Sequence, residues 1–414
     1  MTAGYLAPNG PWWSDRNLLR RFVIDLITSE LTRLRPGWAQ LRRPGWDDAL
    51  TIDNDLGADS LELVQLATAL SQMLHMYETG IEDYLLMRRT LGDWVDIAAA
   101  GLDGYAAKIS FVTSGSTGSP KTCSHTLAAL LQEASTLSAL FDGTKRLLFA
   151  VPSHHIYGFL FTILLPGILG LGSESVIDLR ATIPSGLAAR VAPGDLVVAH
   201  PAFWQTAVRD DLQYPAGATG VTSTGPCPVE VCDALSAAGL RRLVQIYGSS
   251  ETAGVGWRTD SRDAYTLFAY WSADPAKPDH LRREQPDNGL TSTAVQDRID
   301  WIDERHFFVG SRHDSGVQVG GVNVFPTRIA DLLKQHELVA DAVVRLMRPD
   351  EGNRLKAYVV LAPAVCDATS AIQELRNWID TVLPVAQRPK ALTVGASIPV
   401  TVMGKPCDWL VADL

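Results

Sequence analysis

Cysteine is scarce in this chain of 414 residues, which holds only five. They are odd in number and scattered along the sequence, at Cys123, Cys227, Cys232, Cys366 and Cys407. No two of them have the spacing of metal ligands, so the pattern excludes a disulfide framework and a zinc-finger type of site. It indicates reduced thiols and a cytoplasmic protein.

Positive charge is also in deficit, because 36 lysines and arginines face 46 aspartates and glutamates, for a net charge of −10. Nucleic acids and anionic membrane surfaces attract basic faces, so we expect neither as a partner. No apolar run approaches the roughly 20 residues of a membrane-spanning helix. Residues 1–13 lack the basic start and apolar core of a secretory signal, so we expect no membrane insertion.

Lysine is the rarer basic residue, with 8 among the 36, and one lysine closes a stretch rich in glycine and small hydroxyl residues. The stretch runs Thr113, Ser114, Gly115, Ser116, Thr117, Gly118, Ser119, Pro120, Lys121, after a short apolar run that predicts a strand. Glycines let backbone N–H groups approach a phosphate closely, hydroxyls add donors, and a lysine adds positive charge. The spacing differs from that of the P-loop, and a flexible turn is the alternative interpretation.

Further motifs follow in a fixed order along the chain. They are Tyr-Gly-Ser-Ser-Glu-Thr at 247–252, Asp297, Ser-Arg-His-Asp at 311–314, the glycine-containing run 320–326, and Met-Gly-Lys at 403–405. In this order and spacing the chain resembles the acyl-adenylate-forming enzymes. That family includes acyl- and aryl-CoA ligases, the adenylation domains of peptide synthetases, and luciferases. The resemblance covers roughly residues 105–414.

The resemblance implies that ATP and Mg²⁺ are the cofactors. Lys405 would bridge the carboxylate and phosphate oxygens as negative charge develops, and Thr252 would donate to the α-phosphate. Glu251 would be the Mg²⁺ ligand, a hard oxygen donor for a hard cation. Asp314 would be the hinge about which the small domain rotates. An exposed lysine after a glycine turn, and an acid near a helix N-terminus, are the alternative interpretations of Lys405 and Glu251.

The resemblance also implies a set of nucleotide ligands. Tyr247 would stack on adenine, with Gly225 and Pro226 on the other face, and Asp297 with Arg312 would hold the ribose. The assignment of Asp297 rests on spacing, because Val-Gln precedes it where the family has Thr-Gly. The full set of implied nucleotide ligands is Thr113, Ser114, Gly115, Ser116, Thr117, Gly118, Lys121, Gly225, Pro226, Tyr247, Gly248, Asp297 and Arg312.

The acid substrate is indicated by the segment Pro152–Gly158, which resembles the Pro-x-x-His-x-x-Gly of aryl- and acyl-CoA ligases. Amino-acid-activating relatives have Phe-Asp there, and its absence predicts a simple carboxylic acid. Aromatic walls with a few polar groups suit a hydroxylated aromatic acid such as a hydroxybenzoate, although core packing explains the aromatics nearly as well. The predicted pocket residues are His155, Tyr157, His200, Ser223, Thr224 and Ser249.

The first hundred residues predict helices. One apolar stripe runs from Leu19 to Ile27, with Ser14 as the expected cap, and shorter helices are expected at 81–87 and 91–99. A second long helix follows Gly-Ala-Asp-Ser-Leu at 57–61, and this layout resembles an acyl carrier protein. The resemblance places phosphopantetheine on Ser60. A capping box of Asp59 and Glu62 explains the helix start without any modification.

The predicted fold class is α/β. A four-helix, all-α, carrier-like domain (1–104) precedes a trimmed AMP-binding adenylation core (105–314) and a small mobile α+β domain (315–414) that bears the catalytic lysine. Strands are expected at 147–151, 196–199 and 243–246, and the polar region 271–289 is expected to be a loop or irregular connection. The last domain is expected to contain helix 326–336, strands 340–346 and 356–361, and helix 370–382.

The expected function is ATP-dependent activation of a small carboxylic acid, followed by transfer to a phosphopantetheine thiol of an acyl carrier protein. The acceptor would be Ser60 of the same chain or a separate carrier protein, as in the short ligases of aryl-polyene pigment pathways that the chain resembles. An aryl-CoA ligase that uses free CoA is the enzymatic alternative. A degenerate docking module is the non-enzymatic one, and the retained Lys121, Glu251, Arg312 and Lys405 argue against it.

Overall fold

The computed structural model describes residues 10–35, 46–113, 121–208, 213–313, 316–365, 367–399 and 407–411. The chain divides into two compact units, the first comprising 1–113 and 120–310, the second 114–119 and 311–414. Within the described residues, no helix is long and apolar enough to cross a membrane. The division into three domains at 104 and 314 stays a prediction.

The helices begin with a long pair in the N-terminal region. In chain order they are α1 Arg16–Leu34, α2 Ser60–Leu74, α3 Tyr84–Met87, α4 Leu91–Gly104, α5 Leu127–Leu140, α6 Ile156–Phe159, α7 Leu165–Ile168, α8 Pro201–Val208, α9 Val229–Ala237, α10 Pro326–Leu333 and α11 Ala368–Val382. A single π-helical turn, Leu160–Leu164, joins α6 to α7. The predicted helices in the first hundred residues and near the C-terminus are confirmed.

The strands of the described residues form five sheets. In chain order they are β1 Lys108–Thr113, β2 Lys121–Thr126, β3 Arg146–Phe149, β4 Val176–Asp178, β5 Asp195–Ala199, β6 Thr219–Thr222, β7 Arg242–Ser249, β8 Ala253–Arg258, β9 Tyr265–Leu267, β10 Trp271–Ala273, β11 His280–Glu284, β12 Leu290–Ala294, β13 Asp297–Trp301, β14 His306–Arg312, β15 Val317–Val319, β16 Val322–Val324, β17 Val339–Leu346, β18 Leu355–Leu361 and β19 Pro389–Val394. The six predicted strands that the sequence pattern marks at 109–112, 147–151, 196–199, 243–246, 340–346 and 356–361 are all present.

The largest sheet has nine strands in the order β13-β14-β9-β8-β7-β6-β5-β3-β4. Strands β4, β3, β5, β6 and β7 run parallel, and β8 and β9 continue the sheet in antiparallel orientation. Helices cover the parallel strands, so these strands bury their side chains on both faces of the sheet. All four residues of β6, for example, are buried. The carboxyl ends of β3, β5, β6 and β7 therefore meet at one edge of the sheet.

Two local predictions are wrong. Asp15, not Ser14, caps α1, because its carboxylate accepts hydrogen bonds from the backbone N–H of Asn17 and Leu18, while the Ser14 hydroxyl donates to the Pro11 carbonyl. The region 271–289 is not a loop, because β10, β11 and β12 form an antiparallel sheet there. Its strands are short and bury only alternate side chains, so polar turn residues dominate the sequence and conceal them.

The N-terminal helices share one hydrophobic cluster with the nine-stranded sheet. Its aromatic centre joins Trp12 and Phe22 of the N-terminal region to Phe111 of β1 and Phe159 of α6, with ring centroids 5.3–5.7 Å apart. All four pack edge to face, the favoured geometry for aromatic pairs. The second unit has its own cluster, formed by α10, α11 and the strands β17 and β18.

Candidate active site

The edge formed by the carboxyl ends of β3, β5, β6 and β7 collects most of the predicted site residues that the structure describes. His155 follows β3, His200 follows β5, and Ser223 with Thr224 follows β6. Tyr247, Gly248 and Ser249 are the last residues of β7. Ligands of open α/β sheets bind in the crevice outside this edge, so the topology places these residues where a site is expected.

The glycine- and hydroxyl-rich stretch is bracketed by an antiparallel hairpin. Thr113, the last residue of β1, pairs with Lys121, the first residue of β2. The intervening site residues Ser114, Gly115, Ser116, Thr117 and Gly118 lie outside the described residues. The Nζ atom of Lys121 lies 3.2 Å from Oε1 of Glu251, so the structure joins two motifs that are 130 residues apart in the sequence.

The turn between β7 and β8 carries Glu251 and Thr252. The Ser249 hydroxyl accepts hydrogen bonds from the backbone N–H of both residues, each at 3.2 Å. A Cβ atom on Gly248 would lie 2.1 Å from the Ala253 carbonyl oxygen, so only glycine fits where the two strands approach. Ser249, predicted as a pocket residue, therefore shapes the turn. Thr252 is buried, and its hydroxyl donates to the Ala253 carbonyl.

Tyr247 and Asp297 meet although 50 residues separate them in the sequence. The Tyr247 hydroxyl donates to Oδ2 of Asp297 at 3.0 Å, and its half-buried ring lies 5.7 Å from the rings of Tyr265 and Phe307. The contact brings two predicted nucleotide ligands together, and the assignment of Asp297 to the ribose stays a prediction. Gly225 and Pro226 follow the neighbouring strand β6, and Arg312 is the last residue of β14.

His155 and His154 stack beside the β3 edge with ring centroids 4.2 Å apart. His155 is solvent-exposed, yet desolvation by the surrounding protein lowers its pKa below the ordinary value. Burial lowers the pKa of His154 further, and neither of its ring nitrogens has a hydrogen-bond partner in the described part of the chain.

Three other predicted pocket residues differ in the hydrogen bonds that their polar groups make within the protein. His200 accepts a hydrogen bond at Nδ1 from the Phe203 backbone, which leaves Nε2 to carry the proton of the neutral ring. The Ser223 hydroxyl donates to the Ile246 carbonyl. The Tyr157 hydroxyl points at the carbonyl oxygens of Ala199 and Val221 at 3.1 and 3.2 Å, so Tyr157 braces the ends of β5 and β6 from within the core.

Thr224 is the exposed pocket residue with an unusual backbone. Its φ of +77° lies in the left-handed region, which costs a β-branched residue on the order of 1–2 kcal/mol. Strained backbones of this kind cluster at functional sites. The strain is a structural observation, made independently of any motif, that marks this turn as part of a site.

Three predicted residues have no role in this edge that the structure describes. Asp314 and Lys405 lie outside the described residues. Ser60 is exposed at the first position of α2, where Asp59 and Glu62 form the expected capping box. The capping box is confirmed, and the modification of Ser60 stays a prediction.

Glu251 fits the role of a Mg²⁺ ligand. Its carboxylate is partly exposed and faces a cation, the ammonium of Lys121. Mg²⁺ binds through one or two carboxylates together with substrate phosphates, so a lone acid beside a phosphate-binding stretch is a sufficient donor set. The described residues contain no group of three or more metal-ligating side chains.

Two supporting residues escape prediction from sequence. Nε2 of His125 lies 2.7 Å from the Ser250 carbonyl oxygen, which ties β2 to the Glu251 turn. Glu133 accepts a hydrogen bond from the Gly254 backbone N–H at 2.8 Å, and burial raises its pKa to about 7 although Arg283 lies 3.9 Å away. The one sequence signal for Glu133 is its position as an isolated acid on the apolar face of α5.

Comparison with known proteins identifies the family. The family model for AMP-binding enzymes matches residues 108–273, and that for the AMP-binding enzyme C-terminal domain matches residues 328–405. A 4-coumarate–CoA ligase of Halorhodospira halophila is 37% identical over 390 residues, or 93% of this chain and 97% of that protein. Another from Cereibacter sphaeroides is 35% identical over 95% of this chain and 97% of its own length.

Solved structures show the same fold. An amide bond synthetase from Marinactinospora thermotolerans superposes with a TM-score of 0.59 at 18% identity, covering 94% of this chain and 92% of its own. An o-succinylbenzoate CoA synthetase from Bacillus subtilis gives 0.59 at 19% identity, covering 73% and 68%. The matching family models, the identity to full-length ligases and the motifs gathered at one sheet edge agree: this chain belongs to the AMP-binding enzymes, as an adenylate-forming acid–thiol ligase.

Proposed function

We propose that this enzyme activates a hydroxylated aromatic acid, 4-coumarate or a close relative, and transfers the acyl group to the thiol of CoA. The observation that carries the proposal is the convergence of predicted partners in space. The Lys121–Glu251 ion pair and the Tyr247–Asp297 hydrogen bond bring together residues assigned to phosphate, metal, adenine and ribose.

The chemistry proceeds in two balanced steps. A carboxylate oxygen attacks the α-phosphorus of ATP, a P–O bond to pyrophosphate breaks, and an acyl-adenylate forms. The thiol sulfur then attacks the acyl carbon, AMP departs with the C–O electron pair, and the thiol proton is lost to solvent. Catalysis of the first step is mainly electrostatic, so positioned cations and donors matter more than a nucleophile.

Each group in the site has a place in this scheme. Mg²⁺ on Glu251 would neutralise phosphate charge, and Lys121 would supply a further cation beside the glycine-rich stretch. Thr252 is buried and its hydroxyl donates to the Ala253 carbonyl, so it would exchange that hydrogen bond for one to the α-phosphate, and Lys405 would act on the carboxylate. Tyr247 would stack on the base while Asp297 holds the ribose.

The acid is proposed from the pocket and the relatives together. His155 and His200 offer polar groups at this sheet edge, and the Phe203 ring lies 6.4 Å from that of His200, a combination that suits an aromatic ring with a polar substituent. The relatives cited above are named 4-coumarate–CoA ligases. A hydroxycinnamate therefore replaces hydroxybenzoate as the preferred substrate, and the shorter acid becomes a comparison compound.

The acceptor is proposed as CoA, with a carrier protein as the alternative. Both present the same phosphopantetheine thiol, and the relatives named above take CoA as acceptor by name. In favour of the alternative, Ser60 is exposed at the start of α2. Intact-protein mass spectrometry after co-expression with a phosphopantetheinyl transferase tests it: a mass increase that Ser60→Ala abolishes would establish a carrier in the same chain.

The main experiment measures acid-dependent ATP–pyrophosphate exchange with 4-coumarate, 4-hydroxybenzoate and tyrosine. We expect exchange with 4-coumarate, weaker exchange with 4-hydroxybenzoate, and none with the amino acid. Chromatography of the thioester after adding either CoA or a phosphopantetheinylated carrier protein then identifies the acceptor. Exchange with none of the aromatic acids, or thioester formation with the carrier protein alone, would overturn the corresponding part of the proposal.

A further inference from the structure

Asp25 is a buried acid in the middle of α1, far in sequence from every motif of the site. Its Oδ2 atom accepts hydrogen bonds from both the backbone N–H and the hydroxyl of Ser153, at 2.7 and 2.6 Å. Its Oδ1 atom accepts one from Nη1 of Arg180 at 2.5 Å. Both oxygens are thus used, and two of the three bonds reach the residue that directly precedes His154 and His155.

The cations around Asp25 are themselves fixed. The guanidinium groups of Arg21 and Arg180 lie 4.7 and 5.3 Å from the ring centroid of Phe149, the last residue of β3. Arg21 also donates to the Thr162 carbonyl in the π-helical turn after α6. The acid is therefore held in a charge-balanced setting, which is how proteins accommodate a buried carboxylate.

The segment 153–158, which Asp25 holds at Ser153, is also fixed at its other end, at Gly158. A Cβ atom on Gly158 would lie only 1.9 Å from the Pro152 carbonyl oxygen, so the chain folds tightly back on itself between these residues. The Phe159 backbone N–H donates to the His155 carbonyl at 2.7 Å, and the Phe159 ring packs against Trp12 and Phe22. The backbone of His155 thus lies between one anchor at Ser153 and another at Gly158.

We propose that Asp25 is a positioning residue for the acid-binding pocket, acting through Ser153 on the His154–His155 segment. It touches no reacting atom, and its effect is to hold the imidazole of His155 at the β3 edge. The N-terminal helix α1 is then a structural wall of the pocket. This inference rests on the proposed function, because the pocket it serves is the one assigned to the aromatic acid.

The test compares Asp25→Asn and Ser153→Ala with Asp48→Asn. Asp48 pairs with Arg16 and Arg20 on the exposed side of the same helix, at 3.0 and 3.4 Å, so its variant removes a comparable charge away from the pocket. We expect Asp25→Asn to raise the KM for the acid about tenfold or more and to leave the KM for ATP within twofold, since an amide has one acceptor oxygen and cannot accept from both Ser153 and Arg180. Ser153→Ala should show a smaller change in the same direction, and Asp48→Asn none.

Hydrogen–deuterium exchange separates this inference from the proposed function. Peptides that cover residues 151–158 should exchange at least tenfold faster in Asp25→Asn, with or without substrate, while β5 peptides keep their wild-type rate. If the wild type activates no aromatic acid, the proposed function fails and the exchange result still decides the role of Asp25. Unchanged exchange in 151–158, or parallel rises in KM for acid and ATP, would overturn the inference. Should Asp25→Asn fail to fold, Ser153→Ala supplies both readouts.

Discussion

At the residue scale, Glu251 and Lys121 form the clearest functional pair in the described chain. Replacing Glu251 with Gln would remove the proposed Mg²⁺ ligand and its charge without changing its size, so we expect acid-dependent ATP–pyrophosphate exchange to fall about 100-fold or more. Glu30→Gln is the matched control, because Glu30 is a partly buried acid paired with Arg33 at 2.8 Å on α1. Equal losses in both variants would contradict the assignment.

The strained backbone of Thr224 gives a second residue-scale prediction. Asparagine tolerates positive φ better than a β-branched residue, so Thr224→Asn should raise the free energy of unfolding by about 1 kcal/mol while weakening acid binding. Asn288, at φ +61° in an exposed turn, provides the reverse control. We expect Asn288→Thr to lower the unfolding free energy by about 1 kcal/mol without affecting kinetics. Denaturant melts measure both, and the same sign in both would refute the strain argument.

The sequence predicts site residues well where chemistry demands a residue type within a motif. The structure brings Lys121 to Glu251 and Tyr247 to Asp297, and their roles toward nucleotide and metal stay predictions. The sequence could not predict these contacts, because 50 to 130 residues separate the partners. Residues that act through packing are not predicted. Asp25 lies within an ordinary amphipathic stripe, and only the folded chain shows that it reaches Ser153.

At the scale of elements, residues 59–62 at the start of α2 have two interpretations: a helix cap, or a site for phosphopantetheine on Ser60. The Asp59 carboxylate accepts from the N–H of Leu61 and Glu62, and Glu62 accepts in return from the Asp59 N–H at 2.9 Å. Asp59→Ala should therefore lower the free energy of unfolding by about 1 kcal/mol. Ser60→Ala should leave it unchanged within about 0.5 kcal/mol in a denaturant melt. A large loss in Ser60→Ala would show that the hydroxyl itself supports the helix.

Within the second unit, a buried lysine ties the chain after the Lys405 motif to the strand β18. Lys356 is fully buried, and its ammonium donates to Glu351 at 2.8 Å and to the Trp409 carbonyl at 2.7 Å. The hydrogen bond from Lys356 lowers the pKa of Glu351 to about 2. The ammonium also pairs with Asp408 at 3.0 Å, so Lys356 joins Glu351 to two residues of the chain segment that follows the Lys405 motif.

This pair predicts the pH dependence of the second unit. A carboxylate whose pKa is lowered by folding stabilises the folded state above its unfolded pKa of about 4.5, and that contribution is lost as pH falls toward 2. Glu351→Gln should therefore be less stable than the wild type at pH 7, and the difference should shrink as pH falls from about 5 to about 2. Thermal melts across this range measure it, with Glu374→Gln on the exposed face of α11 as a control. A difference that does not depend on pH would contradict the role of the charge.

Predictability also differs between elements. Helices α1, α2, α10 and α11 are predictable from the sequence. A helix that packs on one face places apolar residues three or four positions apart, and this spacing is visible in the sequence. The sheet of β10, β11 and β12 is not predictable, since strands of three to five residues with polar turns carry too short an alternation. The sequence analysis predicts Ser14 as the cap of α1, and the structure has Asp15 in that place, because the Asp15 carboxylate accepts from the N–H groups of Asn17 and Leu18.

At the scale of the whole molecule, the shared hydrophobic cluster predicts that the N-terminal helices and the nine-stranded sheet unfold together. Native-state hydrogen exchange should give buried amides of α1 and of β5 the same opening free energy within about 1 kcal/mol. An independent carrier-like domain would instead open on its own, at a lower free energy. Such a lower opening free energy for α1 would support the predicted division into three domains.

The reach of α1 into the β3 edge bears on modularity. Asp25, Ser153 and Arg180 come from three separate parts of the chain, and each loses its partner if one part is exchanged. Grafting the segment 152–158 from another ligase to alter acid preference would replace the partner of Asp25 at position 153 and leave Asp25 itself unchanged. If Asp25 positions the His154–His155 segment as proposed, an exchange that alters acid preference in this chain would have to carry the matching N-terminal helix, and the two distant gene segments would have to recombine together.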